Sequence, residues 1–449
     1  MNLDSLPAKC SAEKKIVKQN KRLSGCLKGE NNAMSSCNEY SFSSHAPHIV
    51  GCPECGETVC ATANNGEMAD CPVCGKNLIR IEKNPYLLPF MYALTALAVL
   101  VPVSFGFFLS VSMPTVAERL TLPGMMHALL QQDYSFLANA MFVLTFATPL
   151  FFLLLLLYVL GAFIQNKNRP FLLPAARWVL RLKQWLMVDI FALSSIVALI
   201  KIKVYAEVEF GLSFYAVFIY AILLARIAQS ITPHWLFAKA AELSNTQITH
   251  YHHNIFCHRC FFRQPENNAR CSICGTFILF RREHSLILST AFLIAAMICY
   301  IPANLLPMMI TSDPTVRITS QIFDGVLTLW RNKDYLVAII IFTASIAIPL
   351  LKIVAMIILL LSAKFRLPHK ISAHQLSLLH RIVEFIGRWS MIDIFVTIIL
   401  MAAFSTPIAK VEAGSATIYF TLVVVLTMLS AYFFDTKLLW QKEQKNHST

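Results

Sequence analysis

Eight long apolar segments constrain the fold of this chain more than any other feature. Each is about long enough to cross ~30 Å of hydrocarbon as a helix that rises 1.5 Å per residue. Hydrophobic residues make up 56% of the 449 residues and charged residues only 14%, which is low for a soluble domain. We therefore predict an all-α polytopic membrane protein, with spans near residues 87–110, 136–165, 185–204, 212–231, 286–307, 335–362, 389–407 and 416–434.

Basic residues are concentrated in two connections between spans, at residues 166–184 and 363–388. The first connection carries Lys167, Arg169, Arg177, Arg181 and Lys183. The connections on the other side, at residues 111–135 and 308–334, are mixed in sign. The positive-inside rule therefore predicts that both termini and the basic connections face the cytoplasm. The same distribution accounts for the net charge of +13 without nucleic-acid binding.

The second half of the chain repeats the first. Residues 52–236 correspond approximately to residues 257–440, and Trp185-Leu-Met-Val-Asp-Ile-Phe191 returns as Trp389-Ser-Met-Ile-Asp-Ile-Phe395. Because each copy contains an even number of spans, both copies insert in the same direction. We predict parallel repeats related by an axis normal to the membrane.

Two groups of four cysteines predict two metal sites. In each group, two Cys-x-x-Cys pairs are separated by a short loop, so that four thiolates can close a tetrahedral site around Zn²⁺. The predicted ligands are Cys52, Cys55, Cys71 and Cys74 in the first site, and Cys257, Cys260, Cys271 and Cys274 in the second. Four protein ligands leave no open position, so we expect both Zn²⁺ ions to be structural.

Other interpretations of these cysteines stay open at the level of sequence. Iron binds in the same cage of four sulfurs, and paired cysteines also form disulfides or redox-active thiols. A cytoplasmic location disfavours stable disulfides, and a thioredoxin-like site would need a βαβ unit. The neighbouring histidines His250, His252, His253 and His258 are less favoured ligands because four cysteines already complete the shell.

The sequence suggests six segments. They are a disordered cytoplasmic tail (1–48), the first zinc ribbon (49–84), a unit of four transmembrane helices (85–236), a linker with the second zinc ribbon (237–284), a second four-helix unit (285–436) and a cytoplasmic tail (437–449). The first segment is polar and too poor in apolar residues to form a core.

Three ionisable residues in the predicted spans are the candidates for a functional polar network: Lys352, Asp393 and Asp189. Such residues are costly in lipid and tend to face the protein interior. Counting along the helices places Lys352 about 14 Å and Asp393 about 6 Å from the cytoplasmic ends. A Lys352–Asp393 ion pair is therefore within reach if the two helices touch.

The two repeats differ at these polar positions. Phe152 occupies the position of Lys352 in the first repeat, which also lacks the doubled proline of Pro302-Ala-Asn304-Leu-Leu-Pro307. We expect the second repeat to carry more of the working site, with Asn304 as part of its polar network. The alternative is that Lys352 extends to the interface, the aspartates cap helices and the prolines only kink them.

Together these motifs resemble the paraquat-inducible protein A family of Gram-negative inner-membrane proteins. The resemblance covers about residues 48–440. It is carried by the doubled cysteine pairs, Pro302-Ala-Asn-Leu-Leu-Pro307, Ser345-Ile-Ala-Ile-Pro-Leu-Leu-Lys352, Trp389-Ser-Met-Ile-Asp-Ile-Phe395 and Leu426-Thr427-Met428 with Phe434-Asp435. It implies an inner-membrane subunit that moves phospholipid to or from a periplasmic MCE (mammalian cell entry) tunnel protein.

Two other functions remain as alternatives to lipid transport. One is a zinc-dependent membrane scaffold or stress sensor whose ribbons bind cytoplasmic proteins. The other is a membrane enzyme, which we disfavour because the chain has no HExxH, GxSxG or clustered carboxylates. A GxxxxGK[ST] nucleotide site is also absent, so energy for transport would come from elsewhere, with Lys352, Asp393 and Asp189 as candidate proton carriers.

Overall fold

The computed structural model describes residues 48–61, 68–113, 116–131, 134–202, 207–244, 255–257, 260–264, 270–276, 279–312, 317–331, 333, 335–364, 372–403 and 410–440. Most of both predicted tails lies outside these residues. The six segment boundaries therefore stay predictions.

Helices dominate the described part of the chain, where eight helical stretches are long and apolar enough to cross a membrane. The predicted helical fold with eight spans is confirmed. The helices are α1 Leu87–Phe105, α2 Leu122–Gln131, α3 Ser135–Phe142, α4 Thr148–Gln165, α5 Leu172–Lys183, α6 Val188–Ile202, α7 Leu212–Ser230, α8 Pro233–Leu243, α9 Leu279–Leu305, α10 Ile322–Arg331, α11 Tyr335–Phe342, α12 Ile348–Lys364, α13 Ala373–Trp389, α14 Ile392–Ala403 and α15 Ala416–Phe433.

The second span of each repeat contains a π-helical turn, at Val143–Ala147 and at Thr343–Ala347. Each turn ends two residues before a proline, Pro149 or Pro349. A proline ring in a regular helix clashes with the carbonyl four residues earlier, and the wider turn relieves that clash. Both repeats therefore place a π-helical turn at the same position of the second span.

The basic connections contain helices, α5 and α13, where the charge pattern suggested loops. Each helix leads into the third span of its repeat. The start of α13 is fixed by a capping box, in which Gln375 N–H donates to Ser372 Oγ and Ser372 N–H donates to Gln375 Oε1. The basic residues from Arg177 to Lys183 lie on α5, which also packs Val179 into a core, and Arg381 and Arg388 lie on α13, which packs Val383 into a core.

Two small antiparallel sheets, which the sequence analysis missed, lie at the opposite ends of the spans from the cysteine groups. Their strand orders are β6-β5-β7 and β11-β10-β12, the same topology in both repeats. The strands are β5 Phe107–Met113, β6 Val116–Thr121, β7 Glu207–Phe210, β10 Met309–Ser312, β11 Arg317–Ser320 and β12 Lys410–Ala413. The cysteine groups contribute the short strands β1 His48–Gly51, β2 Thr58–Ala61, β3 Met68–Asp70, β4 Asn77–Arg80, β8 Ile255–Phe256 and β9 Arg263–Gln264.

A glycine follows the last strand of each of these two sheets, at Gly211 and Gly414. A Cβ on Gly211 would lie 1.9 Å from the Phe107 carbonyl oxygen, and one on Gly414 would lie 1.9 Å from that of Pro307. Both positions therefore require a residue without a side chain, because the backbone at the start of β5 or just before β10 passes directly against them.

The two repeats meet at their third spans, α6 and α14. The rings of Phe191 and Phe395, which end the repeated tryptophan motif, lie edge to face with centroids 5.5 Å apart. Because these residues occupy equivalent positions, the axis relating the repeats passes close to this contact. The repeated tryptophan motif therefore contributes to the interface between the two repeats.

The hydrophobic core is divided unequally between the repeats. One large core combines the first unit with α14 and the outer half of α15. A smaller core joins α9, α12, α13 and the inner end of α15. The second unit is consequently split between two cores, whereas the first is packed into one.

Candidate functional site

The first cysteine group closes into a compact cage. The Sγ atoms of Cys52 and Cys74 are 3.4 Å apart and those of Cys55 and Cys71 are 3.6 Å apart. All four lie within 4.8 Å of one another, and all four residues are buried. A tetrahedron with metal–sulfur bonds of ~2.3 Å has sulfur–sulfur edges of about 3.8 Å, so the cage matches the size of a four-thiolate metal site.

Local backbone geometry builds each half of this cage as a knuckle. The Cys52 N–H donates to the Glu57 carbonyl, and the Gly56 N–H donates to the Cys52 carbonyl. Gly56 and Gly75 follow the second cysteine of their pairs with φ of 78° and 68°. Residues with side chains rarely adopt this left-handed conformation, which explains glycine after both pairs.

The second cysteine group has the same construction. Its sulfurs pair at 3.4 Å (Cys257 with Cys274) and 3.5 Å (Cys260 with Cys271), and all four are buried. Here Phe261 takes the left-handed position, with φ of 66°. Its side chain packs into the core of the first ribbon, which explains a bulky residue at a strained position.

Crowding couples the titration of the thiols in each cage. Hydrogen bonds from the Cys52 and Cys55 thiols lower the pKa of Cys71, whereas contacts with Cys52 and Cys71 raise that of Cys55. A cation at the centre of the cage would stabilise all four thiolates together, so the thiols would no longer raise or lower one another's pKa through mutual hydrogen bonds. Both cages can thus hold a metal ion, and the donor set suits Zn²⁺ or iron.

Each ribbon is held by an arginine of the opposite repeat. Arg177 of α5 donates to the carbonyls of Ile273 and Ser272 in the second ribbon, at 2.8 and 3.3 Å. Arg381 of α13 donates to the Cys74 carbonyl of the first ribbon at 2.8 Å. The spacing of the tryptophan motif shows that the two arginines occupy equivalent positions. The two docking sites, at which α5 binds the second ribbon and α13 binds the first ribbon, are therefore equivalent, and each joins one repeat to the other.

A buried carboxylate completes the docking site of the first ribbon. Glu54, whose side chain is 10% exposed, accepts hydrogen bonds from Arg381 and lies 2.8 Å from Lys76 Nζ. Burial raises the pKa of Glu54, but the hydrogen bond from Arg381 and the charge of Lys76 outweigh burial and lower it overall. Glu54 thus neutralises the arginine that holds the ribbon.

Replacing Glu54 with glutamine should loosen the first ribbon in a pH-dependent way. At pH 7 we expect the variant to lose about 2 kcal/mol of stability, the scale of a hydrogen bond to a charged group. The lowered pKa means that this stabilisation is complete above about pH 4.3, the ordinary glutamate value, and is lost as pH falls through the folded value.

Thermal unfolding of wild type and Glu54→Gln at several pH values, with metal content verified at each, measures this difference. The two melting temperatures should differ at pH 7 and converge as pH falls below about 4. Glu57→Gln is the matched control, because Glu57 is exposed on the same ribbon. A difference that stayed constant over this pH range would contradict the role of the carboxylate charge.

Among the predicted polar residues whose side chains the structure describes, Lys352 is the most deeply buried. Its side chain is 3% exposed, and its amine makes no hydrogen bond with any described residue. A Cβ built on Gly387 would lie 3.4 Å from Lys352 Nζ, so the lysine occupies space that Gly387 leaves open. Its neighbours Ile353 and Met428 pack against different cores, which places the amine at their boundary.

Of the two predicted aspartates, only Asp189 has a side chain within the described part of the structure. Asp189 lies in the first turn of α6 and pairs with Arg388 of the other repeat, with 3.2 Å between Oδ2 and Nη2. Arg388 also donates to the Leu186 carbonyl at 3.0 Å. Asp393 lies in α14, but its side chain is outside the described part of the structure. The predicted Lys352–Asp393 pair therefore stays a prediction.

Asn304 lies near the outer end of α9. Its side-chain amide donates to the Tyr300 carbonyl of the same helix at 2.8 Å. The helix continues through Pro302 and ends at Leu305, before Pro307. The doubled proline thus ends the fifth span near the sheet, and the helix is not broken at Pro302.

The sequence motifs do not indicate that Glu54, Arg177, Arg381 and Arg388 join the repeats. In the sequence, Arg177 and Arg381 stand out only as charges of the basic connections. Their equal distance from Trp185 and Trp389 was a usable signal, since both precede the tryptophan by eight residues. Nothing in the spacing of Glu54 and Arg388 indicated their partners.

The architecture of eight spans and two four-cysteine cages can be compared with known proteins. The sequence profile described as "Paraquat-inducible protein A" matches residues 88–241 and 288–444. The chain belongs to the paraquat-inducible protein A family. The two matched stretches coincide with the two transmembrane units, so the family resemblance drawn from the motifs is confirmed.

Three relatives illustrate the range of this family. "Intermembrane transport protein PqiA" of Escherichia coli (strain K12) is 30% identical over 413 residues, which cover 90% of this chain and 98% of that protein. "Lipophilic envelope-spanning tunnel protein A" of the same strain is 31% identical over 279 residues, 61% of this chain and 64% of that protein. "Probable intermembrane transport protein" of Haemophilus influenzae (strain ATCC 51907 / DSM 11121 / KW20 / Rd) is 28% identical over 406 residues, 88% of this chain and 96% of that protein.

No solved structure gives a significant match to the chain. Membership of the paraquat-inducible protein A family, together with the apolar spans, identifies a multi-pass membrane protein. The names of its relatives support a role in transport across the cell envelope. The two buried cages add a capacity to bind metal ions.

Proposed function

We propose that this protein is the inner-membrane subunit of a lipid transport system and exchanges phospholipid with a periplasmic MCE-family protein. The observation that carries the proposal is the buried amine of Lys352 at the boundary between the two cores of the second unit. An ionisable group in a span is expensive and is retained where it serves a pathway or a switch.

The split core offers a route for the lipid. Helices α12 and α13 pack with one core and α14 with the other, so the boundary between the cores runs between α13 and α14, and the lipid would enter along it. The first unit lacks such a division, and Phe152 fills the position of Lys352 there. A phospholipid entering sideways would bring its phosphate towards the lysine amine.

In this proposal, Lys352 and Asp393 exchange a proton as lipid passes, and Asp189 remains paired with Arg388.

The ribbons carry structural Zn²⁺ and lie in the cytoplasm with both termini. Their reciprocal docking ties each ribbon to the opposite unit, so the metal stabilises the arrangement of the two units. The protein is a transporter in this account and catalyses no covalent step.

The test is transfer of a fluorescent phospholipid from proteoliposomes that contain the full-length protein to a purified MCE-family partner. We expect transfer well above that of protein-free liposomes and a dependence on pH that Asp393→Asn removes. Transfer at the protein-free rate would overturn the proposal. Binding of a cytoplasmic protein to the ribbons, combined with no transfer, would instead support the scaffold or sensor alternative.

A further inference from the structure

The two ribbon docking sites are equivalent by repeat, but they differ in charge. Arg381 on α13 meets Glu54 of the first ribbon, so that site contains its own anion. In the second ribbon, the sequence has Arg259, outside the described residues, at the position of Glu54. Arg270 likewise replaces Asp70, as the residue before the second cysteine pair. The second ribbon thus has arginines at the two sequence positions where the first ribbon has carboxylates.

A cavity of about 380 Å³ lies at this second docking site, between α5 and the second ribbon. It is lined by Pro174, Arg177, Trp178, Arg181, Arg270, Cys271 and Gly275. Three of these residues are arginines and none is acidic. The corresponding positions on α13 to Trp178 and Arg181 are the apolar Ile382 and Phe385. The lining of the cavity therefore holds three positive charges and no carboxylate, whereas at the first docking site Glu54 is paired with Arg381 and Lys76.

Arg177 and Arg181 are positioned to receive an anion at this cavity. Arg177 uses Nε and one Nη on the carbonyls of the ribbon, and a guanidinium carries five N–H donors in total. The guanidinium of Arg181 lies 5.3 Å from the ring centroid of Trp178, which restricts where it can point. Planar guanidiniums held in this way match phosphate oxygens well.

We propose that this cavity binds the phosphate of an anionic phospholipid headgroup at the membrane surface, in the place that Glu54 fills at the equivalent site. Phe171, immediately before α5, is 80% exposed and Trp178, in the middle of α5, is 48% exposed, as expected of residues that enter the interface beside the acyl chains. A bound phosphate would neutralise Arg177 and hold the second ribbon against α5. This cavity is separate from the lipid path proposed near Lys352, and binding of a headgroup here does not require the protein to transport lipid.

Native mass spectrometry of the full-length protein in detergent, titrated with dioctanoyl phosphatidic acid, tests this site. We expect the double variant Arg181→Gln/Arg270→Gln to weaken binding of one lipid at least tenfold. Arg177 is left unchanged because it holds the ribbon. The matched control is Lys83→Gln/Lys167→Gln, which removes the same charge from exposed positions and should bind as wild type does.

Parallel titrations with dioctanoylglycerol and with inorganic phosphate separate the sources of the ligand. Dioctanoylglycerol should fail to occupy the site, because it lacks the phosphate, and inorganic phosphate should compete only weakly. Equal affinity of the double variant and wild type for phosphatidic acid would overturn the proposal. Displacement of the lipid by inorganic phosphate at equal concentration would overturn the lipid assignment. Retention of two metal ions per chain verifies that the variant is folded.

Discussion

Replacing Lys352 with methionine should abolish phospholipid transfer while making the protein more stable. The amine is buried without a hydrogen-bond partner among the described residues, and burying an unpaired polar group is destabilising by about 2 kcal/mol. Methionine has a similar shape and adapts to irregular packing, so it should fill the same space beside Gly387. Stability and function are thus expected to change in opposite directions.

Thermal unfolding in detergent and the proteoliposome assay measure the two effects of Lys352→Met. Phe152→Met is the matched control, since Phe152 occupies the equivalent position in the first unit and is fully buried. It should lose about 1 kcal/mol through poorer packing and retain transfer. Transfer by Lys352→Met at the wild-type rate would show that the amine has no part in transport. A marked loss of stability would show that the amine has an ionic partner, for which Asp393 is the candidate.

Serine in place of one cage cysteine should remove one metal ion and unfold the ribbon that contains it. Structural Zn²⁺ contributes about 10–16 kcal/mol in small zinc domains, as much as or more than the total stability of a typical domain. The ribbons have only short strands and a small core to replace it. Cys71→Ser and Cys271→Ser should therefore each reduce the metal content from two ions per chain to one.

Elemental analysis of the purified variants, together with limited proteolysis of the ribbons, tests this loss. Cys299→Ser is the control, because Cys299 is a half-buried thiol in α9 outside both cages. It should keep both ions and the wild-type cleavage pattern. Cys71→Ser should also free Arg381 from the Cys74 carbonyl, so cleavage should increase near the first ribbon. Two ions retained in either cage variant would contradict a four-thiolate site.

The sequence by itself determined the spans, the repeat and the cysteine groups. These features depend on local properties. A helix in lipid makes all its backbone hydrogen bonds within itself, so a run of about 20 apolar residues is sufficient evidence for a transmembrane helix. A Cys-x-x-Cys pair likewise brings two sulfurs together through neighbouring backbone bonds, such as the one between Cys52 and Glu57. Lys352 and Phe152 could be compared because the repeat aligned them.

The tertiary structure alone decided which parts of the two repeats meet. Strand β7 joins β5 from about 100 residues away, and its sequence Glu207–Phe210 is too short to indicate a sheet. Asp189 pairs with Arg388, Arg177 and Arg381 hold the ribbons of opposite repeats, and the second unit is divided between two cores. These contacts depend on how whole helices pack, and helix packing depends on surfaces assembled from distant residues, which no local pattern records.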